Sequence, residues 1–155
     1  MLIRQIKERD YEQFEELFIA YYEELGCEDE PCHLFDEYVL PDLKANLFSV
    51  AVACEGEKIT GFVIYQIDSP ENEWCFKEGY GDIREIYTTP SLRKTGVGGK
   101  LLTFAENCLN ISGVAGIYVL PTEEAENFFT HNGYTDNGDY CAELDNKVFE
   151  KTLNF

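Results

Sequence analysis

Apolar residues alternate with polar ones along parts of this chain and recur every third or fourth position along others, which separates its strands from its helices. Residues 2–6 read as a first strand. Phe14, Leu17, Phe18 and Tyr21/Tyr22 then form a helical stripe, with Asp10 as N-cap, Gln13 at the reciprocal capping-box position and Gly26 at the end. Residues 33–47 predict a second, shorter helical stretch, interrupted at Pro41. Residues 48–54 and 59–67 are β-rich runs around a turn containing Gly56, and so predict a hairpin. A polar, irregular stretch follows at 68–79. Residues 83–88 are β-branched and aromatic, closed by Pro90, and from Val97 the apolar positions Leu101, Phe104/Ala105 and Cys108 mark a helix. Residues 114–120 predict a strand and 123–131 a short helix ended by Gly133, while 134–144 and 148–153 form a closing antiparallel pair.

The order β-α-α-β-β-β-α-β-α-β-β, without linker, repeat or low-complexity tract, indicates one mixed α/β domain over residues 1–155. Helices should cover both faces of a single sheet.

Charge changes the picture in two ways. With 30 acidic against 12 basic side chains the net charge is -18, which excludes nucleic-acid binding through a broad basic surface. That acidity favours solubility and would draw a cationic partner. Yet no Asp or Glu occurs from Ile86 to Ala105, where Arg93, Lys94 and Lys100 sit together. Gly96, Gly98 and Gly99 lie among them, at the entry to a helix. Such a loop presents free amides and the positive end of a dipole, an anion site on an anionic protein.

The N-terminus has no signal-peptide pattern and no run approaches a membrane span, so the chain reads as cytoplasmic with its six cysteines reduced. Cys27, Cys32 and His33 lack a second ligand pair at zinc spacing, and no metal site is expected.

Two familiar phosphate motifs do not fit the glycine loop. A Walker A loop would need Gly at Lys94 and Ser or Thr at Leu101, and a dinucleotide fingerprint would need Gly at Leu101. Arg93-x-x-Gly96-x-Gly98 instead resembles the acetyl-CoA loop of the GNAT N-acetyltransferase superfamily, Gln/Arg-x-x-Gly-x-Gly/Ala. Its flanks, from Glu85-Ile86-Tyr87-Thr88 to Leu101-Leu102, follow the family's strand, loop and helix signature. Ala125-x-x-Phe128-Phe129-x-x-x-Gly133-Tyr134 looks like a later family motif. Ile3-Arg4 and the helix start at Asp10 resemble the family's opening, and the element order matches over the whole chain.

The resemblance implies a mostly antiparallel sheet, splayed between the parallel strands 83–88 and 114–120. Acetyl-CoA would be the co-substrate. Its pantetheine would lie along Ile86, Tyr87 and Thr88, and its pyrophosphate on Lys94, Thr95, Gly96, Val97, Gly98, Gly99 and Lys100, with Arg93 at the first motif position. Thr122 stands where the family often has a cofactor-contacting Asn, and Phe129 where it often has a Tyr that protonates the leaving thiolate. Phe129 cannot donate a proton and would pack against pantetheine or core. Tyr134 and Tyr140 are the substitute donors.

Glu85 is the candidate to orient or deprotonate the amine, with Asp82 as the other choice; Glu85 could instead pair with Arg84 or another cation. The acids Glu28, Asp29 and Glu30 suggest a cationic acceptor: a polyamine, an aminoglycoside-like molecule or a basic peptide. Transfer of acetyl to a primary amine is therefore expected; the resemblance allows a homodimer, common in the family, but no residue pattern in the chain points to one. A CoA-binding regulatory protein that has lost catalysis is the alternative, on account of Phe129 and Thr122.

Overall fold

The computed structural model describes residues 1–27, 30–72 and 75–153. Strand β1 is Leu2–Gln5, helix α1 is Tyr11–Leu25, α2 is Pro31–Leu34 and α3 is Leu40–Lys44. Strands β2 (Ser49–Glu55), β3 (Lys58–Ile67) and β4 (Gly81–Thr88) follow. Then come α4 (Val97–Ile111), β5 (Gly116–Val119), α5 (Glu126–His131), β6 (Thr135–Cys141) and β7 (Asn146–Thr152). The strand order is β1-β2-β3-β4-β5-β7-β6 in one seven-stranded mixed sheet. Within it β4 and β5 pair in parallel, and β1–β2, β5–β7 and β6–β7 are antiparallel. Packing divides the chain into two units, Met1–Ile64 with Glu85–Phe104, and Tyr65–Arg84 with Ala105–Phe155.

In the first unit, β2 is an unbroken apolar run because both of its faces are covered. Phe14 and Phe18 of α1 are buried in a cluster with Phe35, Val50, Val52, Phe62, Ile64 and Tyr87. Edge-to-face contacts of 5.4 Å (Phe14–Phe35) and 5.1 Å (Phe14–Phe62) order its rings. Leu101 of α4 lies on the opposite face, at Gly61. A Cβ there would sit 2.7 Å from the Tyr87 carbonyl oxygen and 3.1 Å from Leu101 Cδ1, so β3 and β4 approach this closely only with glycine.

Two local expectations are corrected here. Asp10 makes no side-chain cap on α1. It accepts the Lys7 amide at 2.8 Å, across the turn before the helix, and pairs with Arg4 at 2.6 Å. Gln13 makes no capping box either: its side chain clamps the β2–β3 turn, donating to Glu57 O at 3.0 Å and accepting from Ile59 N at 2.9 Å. The second correction concerns Pro41, which does not break the helical stretch. A widened π turn, Phe35–Val39, closes with Leu40 N to Phe35 O, and Pro41 follows directly in the first turn of α3.

In the second unit, Asp68 closes the irregular stretch that the sequence left without elements. Its buried carboxylate accepts Phe76 N and Lys77 N, both at 2.7 Å, and Tyr118 Oη at 2.5 Å. Its backbone pairs with Tyr80 O at 2.8 Å and Gly79 N at 2.9 Å. Charge-assisted donors converging on one carboxylate take the place of a local hydrophobic core. Tyr118 also packs with Cys141 and Val148 from β6 and β7.

Candidate functional site

The glycine loop lies in the first unit, between the end of β4 and the start of α4. After a short turn, Pro90–Leu92, the backbone takes positive φ at Lys94 (65°) and Gly96 (92°). The second value is one that a side chain would resist. The Thr95 hydroxyl donates to Leu92 O and closes the turn. Val97, Leu101 and Leu102 are buried and fix the helix start, whereas residues 93–96 are exposed. The first bond at that end runs from Lys100 N to Gly96 O at 3.1 Å. The amides of Val97, Gly98 and Gly99 therefore precede any helical acceptor and point out of the helix end. Lys94 and Lys100 are exposed beside them, so the arrangement has the donors and charge that an anion would need.

Arg93 is held by three groups. Its Nε donates to Thr88 O at 3.0 Å, its Nη2 to Glu24 Oε2 at 2.7 Å, and its guanidinium sits 5.4 Å from the Tyr87 ring centroid. Arg93 holds the Glu24 carboxyl below its ordinary pKa range, and burial followed by Glu24 pushes the Tyr87 phenol up. Tyr87 is buried and packs on Tyr21 and Phe62, with ring centroids 5.4 and 5.9 Å away.

Glu85 has the same parity on β4 as Ile83 and Tyr87, so it shares their face, that of α1. It is half-buried and accepts the Tyr22 hydroxyl at 2.9 Å on Oε1. Burial and then Glu85 push the Tyr21 phenol up. Ile86 lies beside it, half-buried. The β4–β5 ladder covers Gly81–Ile83 opposite Ile117–Val119, while β4 runs on to Thr88. Glu85, Ile86, Tyr87 and Thr88 thus belong to the stretch of β4 past that ladder.

The remaining candidates belong to the second unit. Asp82 is buried and accepts Gln66 Nε2 at 3.4 Å; with Asp68 it faces the Tyr118 phenol, which burial and both carboxylates push up. Arg84, the expected partner of Glu85, donates to Gln66 Oε1 at 3.4 Å. Thr122 is exposed and caps nothing with its hydroxyl. Phe129 is buried edge-on against Phe128 at 5.1 Å and Tyr134 at 5.4 Å. Tyr134 is fully buried and donates to Glu106 Oε2 at 2.8 Å; Lys151 Nζ stands 3.1 Å from the same oxygen. Burial and Glu106 push the Tyr134 phenol up, which ties its proton to an internal partner. Tyr140 is exposed on β6.

The structure therefore brings Glu85, Tyr87, Thr88, Arg93 and the start of α4 together in one unit. Sequence reasoning missed Tyr22, Glu24, Asp68 and Glu106. The signal for Tyr22 was its place on the line Phe14-Phe18-Tyr22, where a hydroxyl succeeds two core rings. Of the acidic loop thought to attract a cation, Glu28 and Asp29 lie outside the described residues. Glu30 Oε2 is 3.5 Å from His33 Nε2, an exposed pair one helical turn apart. None of the six cysteines is joined in a disulfide, and among the described residues no helix is long and apolar enough to cross a membrane.

Residues 46–136 match the family model described as Acetyltransferase (GNAT) domain. No curated protein matches the chain by sequence. Among solved structures, an acetyltransferase of the GNAT family from Staphylococcus aureus Mu50 is 16% identical over 99% of each chain, with a TM-score of 0.76. PaiA N-acetyltransferase from Thermoplasma acidophilum, in complex with coenzyme A, is 15% identical over 98% of each chain, with a TM-score of 0.74. A GNAT family acetyltransferase from Brucella melitensis, in complex with acetyl-CoA, is 16% identical over 99% of this chain and 88% of its own, with a TM-score of 0.71.

Proposed function

The chain belongs to the GNAT acetyltransferase family, and we propose that it carries an acetyl group from acetyl-CoA to a primary amine. The observation that carries this reading is the pairing, within one unit, of an anion cradle with a half-buried carboxylate on the strand that leads into it. The cradle suits a pyrophosphate: three helix-entry amides, two exposed lysines and no carboxylate between Ile86 and Ala105. Arg93 acts from behind the loop, fixing its start to Thr88 and α1.

Acetyl-CoA would supply an acyl carbon bonded to a good leaving group. The chain's own residues hold and exchange protons around it. A free primary amine is mostly protonated at neutral pH, since its pKa is near the lysine value of about 10.4. The ammonium must lose one proton before its lone pair can attack, and the Glu85 carboxylate takes that proton; the second leaves the nitrogen once the C–N bond has formed and passes through water to balance the departing thiolate. Backbone groups of β4 near Ile86 and Thr88, past the β5 ladder, align the acyl arm and offer donors to the carbonyl oxygen. Phe129 gives no proton to the departing sulfur. A thiol of pKa about 8.5 needs less help to leave than an alkoxide would, and can take its proton from water. The acidity of the chain and the Glu85 carboxylate beside two phenols favour a cationic amine, a small molecule or a basic peptide.

The test is thiol release from acetyl-CoA against spermidine, kanamycin, lysine and a basic peptide, with CoA binding measured by calorimetry. Binding with turnover on one amine is the expected result. Binding without turnover on any of them favours the regulatory reading, and absence of CoA binding overturns both.

A further inference from the structure

We propose that Tyr22 is a positioning residue for Glu85, holding the carboxylate in one orientation and favouring its charged form through a donated hydrogen bond. The inference rests on the reading of Glu85 as the proton acceptor. It adds a residue from α1 that no motif in the chain points to.

The line Phe14-Phe18-Tyr22 runs down one side of α1 at intervals of one turn. Phe14 and Phe18 are 0% and 2% exposed and pack into the apolar cluster. Tyr22 continues the stack, its ring 4.5 Å from that of Phe18, so a phenylalanine would fill the same space. What the hydroxyl adds is the 2.9 Å bond to Glu85 Oε1. A partly buried carboxylate drifts upward in pKa unless donors compensate, and a donor aimed at one oxygen also restricts the rotation of the group. A phenol donates this bond without bringing a positive charge, so it supports the carboxylate without pairing it off, as an arginine would.

The turn that carries Tyr22 is anchored independently of Glu85. Two residues on, Glu24 grips Arg93, and Arg93 grips Thr88 O at the end of the strand that holds Glu85. The hydroxyl is therefore delivered by a helix end fastened to the strand it serves. The groups that face Glu85 from α1 are Tyr22 and Tyr21, with Cys27 acting on Tyr21. Further along the strand stands the set Glu24, Arg93 and Tyr87. On the strand itself, the neighbouring Arg84 is engaged by Gln66.

Three variants of the full chain, Y22F, E85Q and Y22F/E85Q, distinguish this from simple packing. The readouts are the pH dependence of kcat/KM with the best amine of the panel, the Glu85 carboxyl titration followed by carbon-13 NMR, and CoA binding. In Y22F the Glu85 titration and the acid limb of kcat/KM should both move to higher pH by about one unit, with CoA affinity unchanged. E85Q should lack that limb, and the double variant should be no slower than E85Q, because Tyr22 acts only through Glu85. An unshifted Glu85 titration in Y22F, or losses that multiply in the double variant, overturns the proposal even where Glu85 is the base. An acid limb that persists in E85Q overturns the reading of Glu85 itself, and the role of Tyr22 with it.

Discussion

Arg93 Nη2 lies 2.7 Å from Glu24 Oε2, so the arginine that opens the glycine loop is gripped by the last turn of α1. Both groups are partly exposed, at 45% and 41%, and an ion pair so placed is worth about 1 kcal/mol or less. The bond to Thr88 O adds a similar amount. R93A should therefore cost about 1–2 kcal/mol in urea unfolding and weaken CoA about tenfold in calorimetry, through a loosened loop. An unchanged CoA affinity would show that the loop keeps its shape without this clamp.

Glu85 carries the chemistry in this reading. E85Q keeps the shape of the side chain and removes the proton acceptor, so thiol release should fall about 10²-fold or more while CoA binds as before. Stopped assays at saturating acetyl-CoA separate the two effects.

The turn at Gly96 has φ of 92°, outside the range an L side chain adopts easily. G96A should cost about 1–2 kcal/mol in stability or, if the loop rearranges instead, weaken CoA binding by about tenfold. Thermal melting and calorimetry on one sample decide which. Open space around the added Cβ excludes a clash with other residues and leaves the backbone conformation as the cause.

Asp10 is 3% exposed, and Arg4 holds its carboxyl below the ordinary pKa. A depressed carboxylate contributes stability that is fully present above its unfolded pKa, about 3.9, and is lost as pH falls through the lower folded value. D10N should thus destabilise by about 2 kcal/mol at pH 7 and by progressively less as the pH drops below about 4. Urea midpoints at pH 7 and pH 3 test the sign.

Tyr134 donates to Glu106 from inside the fold. Y134F should cost about 1–2 kcal/mol, because Glu106 keeps Lys151 but loses one charge-assisted donor. Thiol release should change less than about threefold; a loss near the general-acid scale of about 10²-fold would make Tyr134 the proton donor after all.

The order of elements was legible because each strand and helix carries its own period, and the glycine loop because its composition breaks with an acidic chain. What stayed hidden were pairings between distant positions. Tyr22 meets Glu85 across 63 residues and Arg93 meets Glu24 across 69, and nothing local in either residue names its partner. Gln13 shows the same limit from the other side. Its spacing from Asp10 fits a capping box, but the amide of Ile59, 46 residues on, is the partner it has. Pro41 was misread because a proline breaks a regular helix, and the π turn before it makes the helix irregular where the ring needs room. Asp68 gave no signal at all: in a polar stretch one more aspartate looks like solvent-facing surface.

Tyr134 and Glu106 also constrain how this chain can have diverged. A phenol placed at position 134 before an acceptor arrived would bury an unsatisfied hydroxyl, and a glutamate placed at 106 beside phenylalanine would bury a charge. Lys151, 3.1 Å from that carboxylate and 31% exposed, offers a passable order: lysine first, glutamate second, tyrosine last. Descendants of the intermediate steps would carry the lysine with phenylalanine at 134, and tyrosine without the acid should be the rarest combination among them. The three side chains satisfy one another only together, although 45 residues separate the first from the last.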